Sequence, residues 1–233
     1  MEPLSEASYR ALYLLVSGDS ALWAIIWISF SVSLRAVLFA APFALLTAFA
    51  LAYLRFPGRR LVIALFNTAL SIPAVVVGLT LYLLLSRAGP LGDWKLLFTQ
   101  DAMIIGQFIL CFPILVAMGH SALQASDRRI WETALTLGAA PWRAMLTVVH
   151  EARFGLIAAL VAGFGRIIAE VGSSMMVGGN ILNVTRNIPT AIALETSRGS
   201  FAQGIALGVV LLLLALTLNL TLTGIQGRGD IRP

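Results

Sequence analysis

Few side chains in this chain belong to types that make or break bonds. One cysteine, Cys111, sits in an apolar run and cannot close an internal disulfide; it reads as a small packing residue. The two histidines, His120 and His150, lie far apart with no cysteine nearby, so no metal-ligand spacing is present. The single lysine, Lys95, follows Asp93-Trp94 and precedes Leu96. The G-x-x-x-x-G-K-[ST] loop that cradles nucleotide phosphates is therefore missing. No Ser-His-Asp or paired-carboxylate arrangement points to an enzyme.

The polar residues that remain are conspicuous for where they stand. Arg166 and Glu170 are four residues apart in an otherwise apolar stretch, so on a helix they share a face and can pair. Each charge at mid-bilayer costs about 2.5–3.5 kcal/mol on insertion scales. Two arrangements offset that cost: a pair buried between helices, or a place in a translocation path or its gate. Ser173 and Ser174 follow, able to donate to a polar ligand or to their own backbone. Gly178-Gly179 permits an abrupt chain reversal. Asn180, Thr185 and Arg186 come next. Pro189 can open a short helix and Gly199 can close it, with Arg198 near its C-terminal dipole. The N-terminus of such a helix, with Thr185 and Arg186, would offer partial positive charge to an anion. The same segment, 178–200, would equally serve as a docking surface.

The elements that hold these residues must be membrane helices. Of 233 residues, 59% are hydrophobic and 12% charged, with mean hydropathy +0.91. A soluble domain carries about 25% charge, so soluble, secreted and disordered classes are excluded. The +5 net charge comes from arginines scattered between apolar blocks, which reports topology rather than nucleic-acid binding. Glu2 and Glu6, and the short run Ala11–Val16, do not make a signal peptide. A hydrocarbon core of about 30 Å takes about 20 apolar residues in helix, and five stretches qualify. They are 29–54 with Arg35 near its start, 61–85 with Pro73 inside, 102–119 with Pro113, 154–177, and 201–223. Ala21–Ile28 either forms an interfacial elbow or lengthens the first span. The prolines predict kinks, with Asn67, Thr68 and Ser71 rescuing freed backbone groups.

One set of loops holds Arg55, Arg59, Arg60, Arg128, Arg129, Arg143, Arg153, Arg228 and Arg232; the other holds Arg10, Arg87, Lys95, Arg186 and Arg198. Nine against five places the first set in the cytoplasm, with the N-terminus outside and the C-terminus inside. Gly155, Ala159 and Gly163 form one small-residue ridge, and Gly165, Ala169 and Ser173 another. Such ridges let helices approach closely, within the bundle or between two copies of it.

The cytoplasmic loop 121–153 carries its own pattern. Ser126 or Asp127 can cap a helix, Gly138 can end it, and Pro141 can start a second. Ile130, Ala134 and Leu137 would form its apolar face. Glu132-Thr133-Ala134, three residues, then Gly138 resembles the EAA loop of bacterial ABC importer permeases. There the pattern is Glu-Ala-Ala, three residues, Gly, nine residues, then Ile-x-Leu-Pro. Thr133 departs from it, and so does the tail Val148-Val149-His150-Glu151. Further stretches are similar to the branch of that family that moves molybdate, tungstate and sulfate. They are Ser31-Val32-Ser33-Leu34 through Phe39–Phe43 to Phe56-Pro57-Gly58-Arg59, then Ile72–Gly78, then Glu170-Val171-Gly172. Val177–Ile181, Thr185-Arg186 and Thr190-Ala191-Ile192 resemble the tungstate-type permeases in particular. The resemblance spans about residues 25–225.

It implies an all-α integral membrane fold of about five spans plus a short cytoplasmic coupling helix, as one permease domain over 1–233 with the coupling loop at about 126–143. Glu132, Thr133, Ala134 and Gly138 would couple to the ATPase. Ser173, Ser174, Gly178, Gly179, Asn180, Thr185, Arg186, Arg166 and Glu170 would line the path or its gate. Two copies would form a homodimer in a bacterial or archaeal cytoplasmic membrane. A separate ATPase would bind ATP and Mg, and an external protein would deliver tungstate or molybdate. The rivals are a permease for sulfate or another solute, and a stand-alone secondary transporter or channel.

Overall fold

A computed structural model describes residues 17–226 together with Tyr9 and Tyr13. Arg10, Arg228 and Arg232, counted above, and Glu2 and Glu6 lie outside the described residues. Among those described, the chain is helical and has no strand.

Helix α1, Ser20–Tyr53, starts where Asp19 Oδ1 accepts the Leu22 N–H at 2.8 Å. Its 34 residues make it about 51 Å long, well beyond the hydrocarbon thickness. Ala21–Ile28 therefore lengthens the first span and forms no separate elbow. Gly58, at φ +82°, turns the chain into α2, Arg59–Ala69, which is followed by α3, Ala74–Leu85. The sequence predicts one kinked crossing over 61–85. The chain instead breaks at residues 70–73, and the two axes differ by 96°. Pro73 has no N–H to continue the ladder and forces Ile72 out of helical geometry. Tight turns absorb the last carbonyls of α2: Ser71 N–H donates to Thr68 O at 3.0 Å and Ile72 N–H to Ala69 O at 3.2 Å.

After a 3₁₀ turn at Gly92–Trp94 comes α4, Gln100–Ala125, which runs unbroken through Pro113. Then follow α5, Arg128–Thr136; α6, Pro141–Glu151; α7, Arg153–Ile168; α8, Gly172–Gly178; α9, Ile188–Ser197; and α10, Phe201–Gln226. The expected fourth span, 154–177, is also not one helix. It stops at Ile168 and restarts at Gly172, because Glu170 Oε1 takes the Gly172 N–H at 3.0 Å in place of a helical carbonyl. Helices α1, α4 and, over Phe201–Thr221, α10 are each long and apolar enough to cross a membrane. The bent pairs α2–α3 and α6–α7 reach that length together, giving up to five crossings.

Side-chain contacts fix the relative directions. Arg35 bonds to Gln100, Gly119 abuts Ala48, and the Tyr53 hydroxyl donates to Leu123 O, so α1 and α4 run parallel. Gly155 lies against Ala122, Gly163 against Leu115, and Ile167 O receives Gln107 Nε2, so α7 runs against α4. The start of α10 packs beside the start of α1 through Ala206 and Leu207 on Leu22, Ile25 and Ile26. The bundle thus has an α5 end and an α9 end. The described arginines of the larger charge set fall at the first, and those of the smaller set at the second. The central core joins α1, α3, α4, α7 and α8 around Val32, Ala36, Met103, Val116, Ile167 and Val177, all at 0% exposure.

Candidate functional sites

At the α5 end, Asp127 caps α5 by accepting the Arg129 N–H at 2.9 Å. Gly138 closes it at φ +83°, and Pro141 opens α6. The seat of α5 is aromatic. Trp131 lies 5.3 Å from the Phe49 ring and 5.5 Å from Tyr53, which stack on each other at 4.9 Å. Ile130 and Trp131 pack on Ala48, Leu123 and Val148, with Ala134 half-buried. Leu137 departs from the predicted apolar face: it is 82% exposed. It lies past the last helical turn, where the 3.6-residue period no longer governs its direction. Glu132 and Thr133 point to solvent, and Glu132 meets Arg128 at 3.4 Å. The end of the bundle therefore presents a short, well-seated helix whose outward surface carries Arg128, Arg129, Glu132 and Thr133 and ends at the exposed Leu137.

The second group lies where α7 gives way to α8, near the α9 end. Arg166 Nη1 reaches Glu170 Oε2 at 2.6 Å; the arginine side chain is 53% exposed and the carboxylate 11%. Ser173 and Ser174 are fully buried, and their hydroxyls have no partner. In α1, Ser29 and Thr47 donate to the carbonyl four residues back. In the first turn of α8 there is no such helical carbonyl. Ser173 is also wedged between α3 and α4: a Cβ on Gly78 would lie 2.7 Å from Ser173 Cα, and one on Gly106 3.3 Å from its Oγ. The first small-residue ridge packs inside the chain, whereas the second does so only in part, with Ala169 exposed. The first packs on α4 at Ala122 and Leu115; in the second, Gly165 faces Leu218 of α10 and Ser173 faces α3 and α4.

Gly179, at φ +69°, reverses the chain; its α-carbon is covered by the Phe98 ring, while Phe98 N–H donates to Val177 O at 2.8 Å. Thr185 is wholly buried and spends its hydroxyl on closing this loop. It donates to Gly178 O at 2.5 Å and accepts the Ile181 N–H at 3.0 Å. Asn180 Nδ2 donates to Thr190 O at 3.3 Å and Arg186 Nη2 to Asn180 O at 3.4 Å. Asn180 Oδ1 and Arg186 Nε are buried without partners. Helix α9 forms where Pro189 and Gly199 predict it, but its N-terminus offers nothing to an anion. Asn187 Oδ1 takes the Thr190 N–H, Thr190 Oγ1 takes the Asn187 N–H, and Ser29 Oγ takes the Ile188 N–H at 2.6 Å. The Asn187-x-x-Thr190 spacing was the available signal for that capping.

Sequence reasoning also passed over a polar strut. Arg35 Nη2 donates to Gln100 Oε1 at 2.6 Å, and Gln100 Nε2 to Val184 O at 2.8 Å, tying α1, α4 and the 178–186 loop together. Arg35 stood out only as an interruption of an apolar run.

The same arrangement of helices occurs in solved ABC transporters. One chain of the MetNI methionine transporter, inward-facing, superposes with TM-score 0.63 at 17% identity over 92% of this chain and 97% of that one. A bacterial alginate transporter, solved with an alginate-loaded periplasmic protein, gives 0.69 at 16% over 94% and 83%. The fold is that of ABC transporter transmembrane subunits. No family model matches the chain. Among curated proteins, the tungstate uptake permease TupB of Campylobacter jejuni is 45% identical over 72% of this chain and 70% of its own length. TupB of Peptoclostridium acidaminophilum is 36% identical over 97% and 99%, and the molybdenum permease ModB of Escherichia coli 32% over 73% and 78%. The chain belongs to the ABC transporter permease family, in its oxyanion group.

Proposed function

We propose that this chain carries tungstate, and molybdate with it, across a bacterial or archaeal cytoplasmic membrane as the path-forming subunit of an importer. The supporting observation is the 36% identity with one tungstate permease along 97% of the chain. Two copies enclose the path as one permease unit each. ATPase subunits, which bind ATP and Mg, dock on α5 through Glu132, Thr133, Ala134 and the Gly138 turn. The arginine-rich α5 end is cytoplasmic, and an external binding protein approaches the α9 end. Ser173, Ser174 and Arg186 keep hydrogen-bonding capacity for a passing tetrahedral dianion. Gly178, Gly179, Asn180 and Thr185 shape the loop that holds them. Arg166 and Glu170 neutralise each other, so that pair adds no fixed cation that would hold the cargo too tightly to release.

The test is the reconstituted complex with its own binding protein. Tungstate and molybdate are expected to stimulate ATP hydrolysis and to compete with each other. Sulfate has the same charge and shape but is smaller, and is expected to be a weak driver. Strong stimulation by sulfate with tungstate inert would remove the tungstate assignment and keep the importer. Uptake without any ATPase would remove both.

A further inference from the structure

Asp127, not Ser126, caps α5, and that leaves a hydroxyl unused. Ser126 Oγ is buried and has no partner. It lines a cleft of about 360 Å³ at the α5 end, together with Ala52, Tyr53, Arg59, Leu123, Gln124 and Arg128. Four elements meet there: the end of α1, the start of α2, the end of α4 and the start of α5. Two guanidiniums face the cleft. Arg59 donates through Nε to Leu51 O, and Arg128 meets Glu132 through Nε. Among the described residues, the Nη groups of both arginines have no partner. The acids nearby are engaged: Asp127 Oδ1 accepts the Arg129 N–H, and Glu132, 63% exposed, pairs with Arg128 Nε. None of the lining residues is acidic.

We propose that this cleft binds a tetrahedral oxyanion. Two guanidiniums, a hydroxyl and the Gln124 amide match the donors that phosphate-like groups take. A bound anion would tie Arg59, where α2 begins, to Arg128, where α5 begins. Occupancy would hold α5 against the bundle and so act on whatever docks there. The inference rests on the proposed orientation only in placing the cleft on the cytoplasmic side. Two sources offer the same chemistry: a free oxyanion, and the phosphate of an acidic lipid headgroup.

The full chain in phosphatidylcholine nanodiscs, without binding protein, provides the assay. Binding of tungstate and of inorganic phosphate is measured by equilibrium dialysis for wild type, Arg59→Gln, Arg128→Gln, Ser126→Ala and Arg143→Gln. One site per chain is expected. It should weaken at least tenfold in Arg128→Gln and Arg59→Gln, and severalfold in Ser126→Ala. Arg143, exposed on α6 and outside the cleft, is the charge-matched control, and Arg143→Gln should leave binding unchanged. Arg128 is largely exposed, so its variant folds whether or not Arg59→Gln does. Phosphatidylglycerol that displaces both probes identifies the occupant as a headgroup; no displacement identifies a free anion. Wild-type binding in Arg128→Gln, or loss in Arg143→Gln alone, overturns the proposal. The phosphate arm is independent of the cargo, so a failed tungstate transport assay would not be mistaken for failure here.

Discussion

Two glycines show how one residue type fails for two different reasons. Gly138 has open space around it but φ +83°, so a Val there meets only backbone strain, about 1–2 kcal/mol. Gly138→Val is expected to insert normally and to uncouple hydrolysis from uptake, measured as ATP consumed per tungstate delivered. Gly78 has ordinary φ but no room, since its Cβ would fall on the backbone of Ser173. Gly78→Ala should cost about 1–3 kcal/mol and lower the unfolding midpoint in detergent. The Arg166–Glu170 pair is likewise asymmetric. Removing the half-exposed arginine strands a nearly buried carboxylate, whereas Glu170→Gln still accepts the Gly172 N–H. Arg166→Gln should therefore lower stability by up to about 3 kcal/mol, and Glu170→Gln by clearly less. Equal losses by calorimetry would contradict this reading. At this scale the sequence announced the pair, because two charges in an apolar run have few other ways to be satisfied. It did not announce the burial of Ser173 or Thr185, since hydroxyl exposure depends on which helices cross over it.

The elements differ in how readily their sequences disclosed them. Helix α5 was legible end to end because cap, C-terminal glycine and following proline are local signals. Its seat was not, because Trp131 finds Phe49 and Tyr53, 82 and 78 residues upstream. Truncating Trp131 to Ala should loosen that seat by on the order of 1–3 kcal/mol, less than a fully buried aromatic costs. The expected outcome is reduced co-purification of the ATPase with unchanged membrane level. The breaks at 70–73 and 169–171 escaped the apolar pattern for another reason. Hydropathy reports which residues avoid water and is blind to helix axis direction. Pro73 predicted a bend of some kind; a 96° turn needs the α3–α8 contact at Gly78 to hold it.

For the whole molecule, the parallel α1 and α4 with an opposed α7 require a chain that returns between them, which the five-stretch reading anticipated. On the orientation proposed above, charge asymmetry sets which end is inside. Single cysteines in a Cys111→Ala background test it: Asn183→Cys is expected to label from outside intact cells, and Trp131→Cys only after the membrane is opened. The reverse pattern would invert the topology and move the ATPase surface away from α5. Overall architecture was readable because bilayer thickness imposes a length on every crossing. The packing order of the crossings was not, since lipid-facing and helix-facing surfaces are equally apolar.

The extra length of α1 also has a meaning in time. Its first third, at the α9 end, is covered by α9 and the start of α10, and Ser29 waits for the Ile188 N–H, 159 residues later in the chain. A ribosome making this protein releases the first helix long before its cover exists. Until residues 188–211 emerge, Leu22, Ile25 and Ile26 have only lipid, or an insertion factor, to face. The first segment to be synthesised is thus among the last to be finished, and a chain stopped short of residue 188 lacks the N–H that Ser29 Oγ accepts in the completed fold.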